Sequence, residues 1–252
     1  ARKLHASVAV LLNLAPDHLD RHGSLASYGA AKARLAELQS PEDMLVVNFD
    51  DRWARSVSER APARLFAFST EQRLRSGAYL AGTDLVLARD GQIGLRLPVD
   101  ELSTASRRPV ANALAAALAA QLAGATPEAI RMTLAHFEGL PHRVRDVCLR
   151  AGVRYVDDPK ATNPAAAIAS LLAQTAPIVW LAGGRNKGLE FGELADAARR
   201  ARVRQALVYG ESAAELALAL AGSCPVERVA TLAQAVARAA GCARPGDAVL
   251  LA

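Results

Sequence analysis

Residues 156 to 166 read VDDPKATNPAA. They place two carboxylates (Asp157, Asp158), an ammonium (Lys160), a hydroxyl (Thr162) and an amide (Asn163) beside two prolines. An apolar run, 153 to 156, comes before them and an alanine-rich stretch with helical character comes after. Groups of both charges and a hydroxyl gathered at one strand-to-helix turn have the chemistry to hold a polar, multiply charged ligand.

Four other stretches carry reactive side chains. NLAPDHLDRH (13–22) supplies Asp17, His18, Asp20, Arg21 and His22 after an apolar run. It reads equally as a turn whose carboxylates cap local amides and as a site for a hard cation bound to phosphate oxygens. Lys32 follows Leu25 by seven residues and precedes Leu35 by three, so a helix places it on their apolar stripe. An ammonium there either snorkels its head to water or loses its proton; a neutral amine can take up carbon dioxide as a carbamate. GGRNKG (183–188) is a glycine-rich turn, and no G-x-x-x-x-G-K-[ST] phosphate loop occurs in the chain. Its Lys187 either grips an anion or is solvated. Arg143, in PHR (141–143), suits a bidentate clamp on an anion; the alternative is a surface ion pair worth under about 1 kcal/mol.

The elements that must position these groups can be read from periodicity. Apolar runs at 7–14, 44–48 and 63–69 predict strands, and helices are expected over 24–39, with Ser24 as N-cap, and 50–60. Glycine-punctuated alternation from 77 to 97 predicts antiparallel hairpins. Helices come next at 111–122 and at 127–135, the latter opening on Pro127. Gly139 and Pro141 break the pattern and place a domain boundary at 139/140. Beyond it, strands at VRDVCLR, VRYVDD, 178–184, 203–210 and AVLLA are separated by helices at 164–173, 191–201, 211–221 and 231–240. That rhythm predicts an α/β fold with a parallel sheet covered on both faces, whose ligands sit at the carboxyl ends of strands.

Composition narrows the function classes. Hydrophobic residues make up 52% of the 252 residues and aromatics 4%, which calls for aliphatic cores. The net charge of +5 comes from scattered arginines without interleaved aromatics, which points to solvated helix faces and away from nucleic acid. Cys148, Cys224 and Cys242 have neither metal-ligand spacing nor a pairing framework, so a reduced, cytoplasmic protein is expected. No apolar run reaches the ~18 residues of a membrane span. The chain starts at Ala1 close to a predicted strand and ends on an apolar run, so both ends are expected to be cut.

Taken in order, D-H-L-D-R-H, A-A-K-A-R-L, A-N-A-L-A-A, G-L-P-H-R, D-x-K-A-T-N and L-A-G-G-R-x-K-G resemble the Mur ligase family of cell-wall synthesis, from about residue 7 to the end. The D-x-K-A-T-N turn is similar to that of the D-glutamate-adding branch. The resemblance implies residues 1–139 as the later part of a central ATPase domain and 140–252 as a Rossmann-like ligase domain. It implies ATP and Mg2+ as cofactors, UDP-N-acetylmuramoyl-L-alanine and D-glutamate as substrates, an acyl-phosphate intermediate, and a monomer without membrane insertion. By position, His18 matches a magnesium-side histidine and Lys32 the lysine that becomes a magnesium-facing carbamate. Asn112, Arg143, Asp158 and Lys160 match ATP contacts; Thr162 and Lys187 match contacts to the carboxylates of D-glutamate. Another Mur-type ligase, a folylpolyglutamate-type ligase and a non-catalytic nucleotide-binding remnant remain as alternatives. Because a phosphate loop is missing, the chain alone is expected not to ligate.

Three positions depart from the family pattern. Pro159 stands where serine is usual, removing a hydroxyl and a backbone donor. S-R-R-P (106–109) replaces G-R-H-N, with Pro109 in place of an adenine-contacting amide. Asn186 stands where aspartate is common.

Overall fold

In a computed structural model, residues 5–106, 109–186 and 188–252 are described. The chain divides into two compact units: one comprises residues to Ala15 and Ser24–Glu138, the other Pro16–Gly23 and Gly139–Ala252. The short segment 16–23, which carries helix α1 (Leu19–His22), therefore belongs, by its contacts, with the second unit.

The first unit is built on a sheet ordered β1-β2-β3-β4-β5-β6. Strands β1 (Val8–Leu11), β2 (Met44–Asn48), β3 (Arg64–Ser69) and β4 (Gly77–Ala81) run parallel, while β5 (Asp84–Arg89) and β6 (Gln92–Pro98) extend the sheet as antiparallel hairpins. Strand β2 is apolar on both faces because both faces are covered. Ala9, Leu11, Leu45 and Val47 share a core with Ala36 and Ala54. These two alanines belong to helices α2 (Leu25–Glu37) and α3 (Arg52–Ser58). The alternate residues Val46 and Phe68 pack with Leu114 and Leu118 of α4 (Val110–Leu122) and Ile130 of α5 (Pro127–His136). The period of two thus divides one sheet between two cores. Ser24 caps α2 by accepting from the Ser27 N–H, as expected from its sequence position.

The second unit's sheet is ordered β11-β10-β9-β12-β8-β7. It includes β7 (Arg145–Arg150), β8 (Val153–Asp157), β9 (Ile178–Gly183), β10 (Val203–Tyr209), β11 (Val226–Arg228) and β12 (Ala248–Leu251). Helices α6 (Pro164–Leu172), α7 (Leu194–Arg200) and α8 (Ala213–Ala219) bury Leu171, Leu194, Ala198 and Leu216 against Ile178, Trp180, Val208 and Leu250. Helix α9 (Leu232–Cys242) sets Ala235 and Ala239 against Val179, Leu181, Leu207 and Val249.

Two strands differ from the sequence expectation. β7 runs antiparallel to β8. Only Ala151 and Gly152 join these strands, at φ 49° and 74°. A two-residue link in that left-handed region returns the chain on itself, whereas a parallel pair needs a crossover of a dozen or more residues. The short β11 was not anticipated, because VER carries a single apolar residue.

Candidate functional site

In the second unit, four strand ends lie in register. Tyr209 pairs with Gly183, and Leu251 with Leu181 and Asp157, so β8, β9, β10 and β12 finish along one edge. Two of the chemistry-bearing turns emerge there, 158–163 after β8 and the one that opens at Gly184 after β9.

Asp158 is 7% exposed, and its N–H donates to Leu251 O at 2.9 Å. Its carbonyl accepts from Ala161 N at 3.0 Å, which closes a four-residue turn with Pro159 in the second position. Proline favours that position, since φ is already set and no N–H is needed there. The Pro159 departure is thus accommodated by the backbone. The turn leaves Lys160 exposed and Thr162 exposed. Asn163 caps α6 by accepting from Ala166 N at 2.8 Å, and its Nδ2 donates to Asp17 Oδ2 at 3.0 Å.

That last bond ties the D-H-L-D-R-H segment to the turn. His18 lies next to Asp17, its N–H donating to Asp17 Oδ1 at 2.8 Å and its Nε2 at 3.6 Å from Oδ2. Leu19 and Asp20 line an open depression of about 570 Å3 with Arg185, Asn186 and Gly188. Sequence reasoning singled out both stretches but not their meeting, since Asp17 and Asn163 are 146 positions apart. Lys187 lies outside the described residues.

Steric detail explains the glycine pair at β9's end. A Cβ on Gly183 would lie 2.2 Å from Tyr209 O, and Gly184 has φ 119°. Asn186 organises the residues after it: Oδ1 accepts from Leu189 N at 2.8 Å, while Nδ2 donates to Leu189 O at 3.1 Å and Glu215 Oε2 at 2.5 Å. An aspartate here would have no N–H to give and would oppose Glu215, a physical reason for the amide.

Arg143 precedes β7 and is exposed, with its N–H donating to Leu140 O at 3.3 Å. Its neighbour His142 contacts Asp157 through Nδ1 at 2.7 Å. His142 was not among the residues expected from the sequence to form the site, and Asp157 was named there without a role of its own.

The first unit holds Lys32 and Asn112. Lys32 is half-buried on α2 and its Nζ donates to Asn13 O at 2.7 Å, just past the end of β1. Nζ also lies 5.3 Å from the Tyr28 ring centroid and 5.4 Å from that of Trp53. A carbonyl oxygen and two ring faces are partners suited to a cationic head group. The aromatic pair was not anticipated: Tyr28 is one turn before Lys32, but Trp53 is on another helix. Asn112 is exposed at the third position of α4. Pro109 occupies the N-cap of that helix and provides no side-chain acceptor.

Among the described residues, no three His, Cys, Asp or Glu side chains converge to hold a metal ion. Also among the described residues, no helix is long and apolar enough to cross a membrane.

Comparison with known families agrees with this layout. The Mur ligase middle domain matches residues 1–120, and the Mur ligase glutamate ligase domain matches residues 142–252. The chain belongs to the Mur ligase family. It is 38% identical over 247 residues to the UDP-N-acetylmuramoylalanine–D-glutamate ligase of Desulfitobacterium hafniense (strain DSM 10664 / DCB-2), covering 97% of this chain and 54% of that protein. With the enzyme of the same name from Frankia casuarinae the identity is 43% over 248 residues, covering 97% and 52%. The chain therefore spans about half the length of the curated relatives it matches. MurF ligase from Thermotoga maritima, solved in complex with ADP, shares the fold of this Mur ligase chain at a TM-score of 0.71 and 20% identity, covering 97% of this chain and 58% of that one.

Proposed function

We propose that residues 1–252 form the central and amino-acid-adding portions, divided at 139/140, of an ATP-dependent ligase that joins D-glutamate to UDP-N-acetylmuramoyl-L-alanine. The observation that carries this reading is the D-P-K-A-T-N turn at 158–163. It stands at the carboxyl end of a parallel strand, in a chain 38% identical to a ligase of that name. At such an edge Asp158 offers a carboxylate to ribose hydroxyls, exposed Lys160 an ammonium to phosphates, and Thr162 a hydroxyl to a carboxylate of D-glutamate. Arg143 and Asn112 take nucleotide roles, and Lys187 a second substrate carboxylate.

In the reaction so assigned, a substrate carboxylate oxygen attacks the γ-phosphorus of ATP and ADP leaves. The amine nitrogen of D-glutamate then attacks the acyl carbon, loses a proton and expels phosphate. Both steps develop negative charge, so fixed cations and dipoles do most of the work. Magnesium enters this reading as the companion of ATP and would neutralise phosphate charge; His18 and, once carbamylated, Lys32 are each assigned a role toward it. The described residues form no cage for it, so no step is assigned to the ion. A monomer acting in the cytoplasm, where nucleotide-linked precursors and ATP are available, completes the proposal.

The test is phosphate release by the full-length protein given ATP, UDP-N-acetylmuramoyl-L-alanine and a panel of amino acids. Release that requires D-glutamate supports the reading; release with a different amino acid, or none, overturns it.

A further inference from the structure

The segment that carries Arg143 has an unusual backbone. His142 and Val144, on either side of it, have φ 59° and 44°, in the left-handed region that non-glycine residues seldom occupy. For a β-branched valine this is costly, and such strain persists only where surrounding contacts over-determine it.

One such contact is visible. His142 Nδ1 meets Asp157 Oδ2 at 2.7 Å, with side-chain exposures of 66% and 22%. A polar contact this exposed contributes little stability, so its effect is on geometry. Nδ1 is the ring nitrogen nearer the main chain, and anchoring it restrains the His142 side chain and the peptide leading into Arg143. Asp157 is also the last residue of β8 and pairs across the ladder with Arg145. The next residue is Asp158, buried at the head of the turn that presents Lys160. A single side-chain contact thus links the backbone of one anion-binding candidate to the strand end that holds two others.

We propose that Asp157 is a positioning residue for nucleotide binding: through His142 it holds Arg143 in register with Asp158 and Lys160. The inference rests on the nucleotide roles proposed above. Asp157 itself touches no substrate. Its carboxylate reduces the freedom that the Arg143 segment would otherwise lose on binding.

The test uses the full-length ligase with two readouts, ADP affinity by calorimetry and steady-state kinetics. Asp157→Ala should weaken ADP binding and raise KM for ATP about three- to tenfold, the order expected when binding must immobilise one more long side chain. The kcat and the KM for D-glutamate should change less than about twofold. Asp157→Asn keeps an oxygen to accept from Nδ1–H and should restore most of the affinity. In an Arg143→Ala background, Asp157→Ala should have no further effect, because the two act as one unit. Should Asp157→Ala fail to fold, the same comparison runs with His142→Phe, which removes the ring nitrogen and keeps the bulk.

Unchanged ADP affinity, equal losses in kcat and in both KM values, or additivity with Arg143→Ala would each overturn the proposal. If the unsubstituted enzyme binds no nucleotide, it is the functional reading that fails.

Discussion

Replacing Gly183 by alanine tests whether the glycine pair at the end of β9 is dictated by packing. The added Cβ would lie 2.2 Å from Tyr209 O and 3.0 Å from both Tyr209 C and Cγ. The closest obstructing atoms are backbone, in a strand paired residue for residue with the end of β9, so no rotamer change can relieve the overlap. Separating the strands locally would also lose the Gly184 N to Tyr209 O bond, now 3.3 Å. Overpacking of this kind costs about 1–3 kcal/mol, and a lost hydrogen bond about 1. The expected total is about 2–4 kcal/mol, or a Tm lower by about 4–16 °C for a protein of this size. Two controls separate sterics from conformation. Gly184→Ala meets nothing within 4 Å but holds φ 119°, and should cost about 1–2 kcal/mol through strain alone. Gly192→Ala meets nothing within 4 Å and has no positive φ, and should leave the Tm within about 2 °C. Thermal unfolding followed by circular dichroism ranks the three. A Gly183→Ala variant that melts with Gly192→Ala would refute the steric argument.

Other consequences are equally direct. Asn186→Asp removes two donated hydrogen bonds and sets a carboxylate against Glu215, so it should destabilise by about 1–2 kcal/mol, and adding Glu215→Gln should recover part of the loss in urea unfolding. The Ser40 N–H, aided by the Ser40 hydroxyl and His5, holds the Asp43 carboxyl below its ordinary value despite burial. Its contribution is therefore present above the unfolded pKa of about 3.9 and lost as pH falls through the lower folded one. Asp43→Asn should be less stable than the parent at neutral pH and converge with it in acid, and parallel unfolding curves that never converge would contradict this. Burial pushes the Cys224 and Cys242 thiols up, while Cys148 is exposed. Mass spectrometry after brief alkylation at neutral pH should find Cys148 modified first; equal labelling of all three would show the other two to be open.

Much of the fold was legible because both sheets obey a two-residue period under helical cover. The runs at 44–48 and 178–184 are apolar on both faces, and Ser24 stands directly before the α2 stripe. The direction of β7 was not, because its apolar pattern resembles that of a parallel strand and the decisive fact is the brevity of the Ala151–Gly152 link. At the site, the reactive side chains announced themselves by type and order. Their partners did not. The Asp17–Asn163 bond joins residues 146 positions apart, and Trp53 reaches Lys32 from a different helix. Such pairings arise from how elements pack, which local periodicity does not encode. Pro159 and Asn186 look like damage to a motif in one dimension. In three, one fits the second position of a closed turn and the other supplies N–H groups that an aspartate lacks.

The central claim is that the turn at 158–163 serves ATP-dependent addition of D-glutamate. The measurement that tests it most directly is product analysis by mass spectrometry of the full-length enzyme, supplied with ATP, UDP-N-acetylmuramoyl-L-alanine and an equimolar mixture of D-glutamate, L-lysine and meso-diaminopimelate. The account predicts a single product carrying D-glutamate, dependent on ATP and abolished by Lys160→Ala. A product carrying either other amino acid, or undiminished D-glutamate product from the Lys160→Ala enzyme, would contradict it.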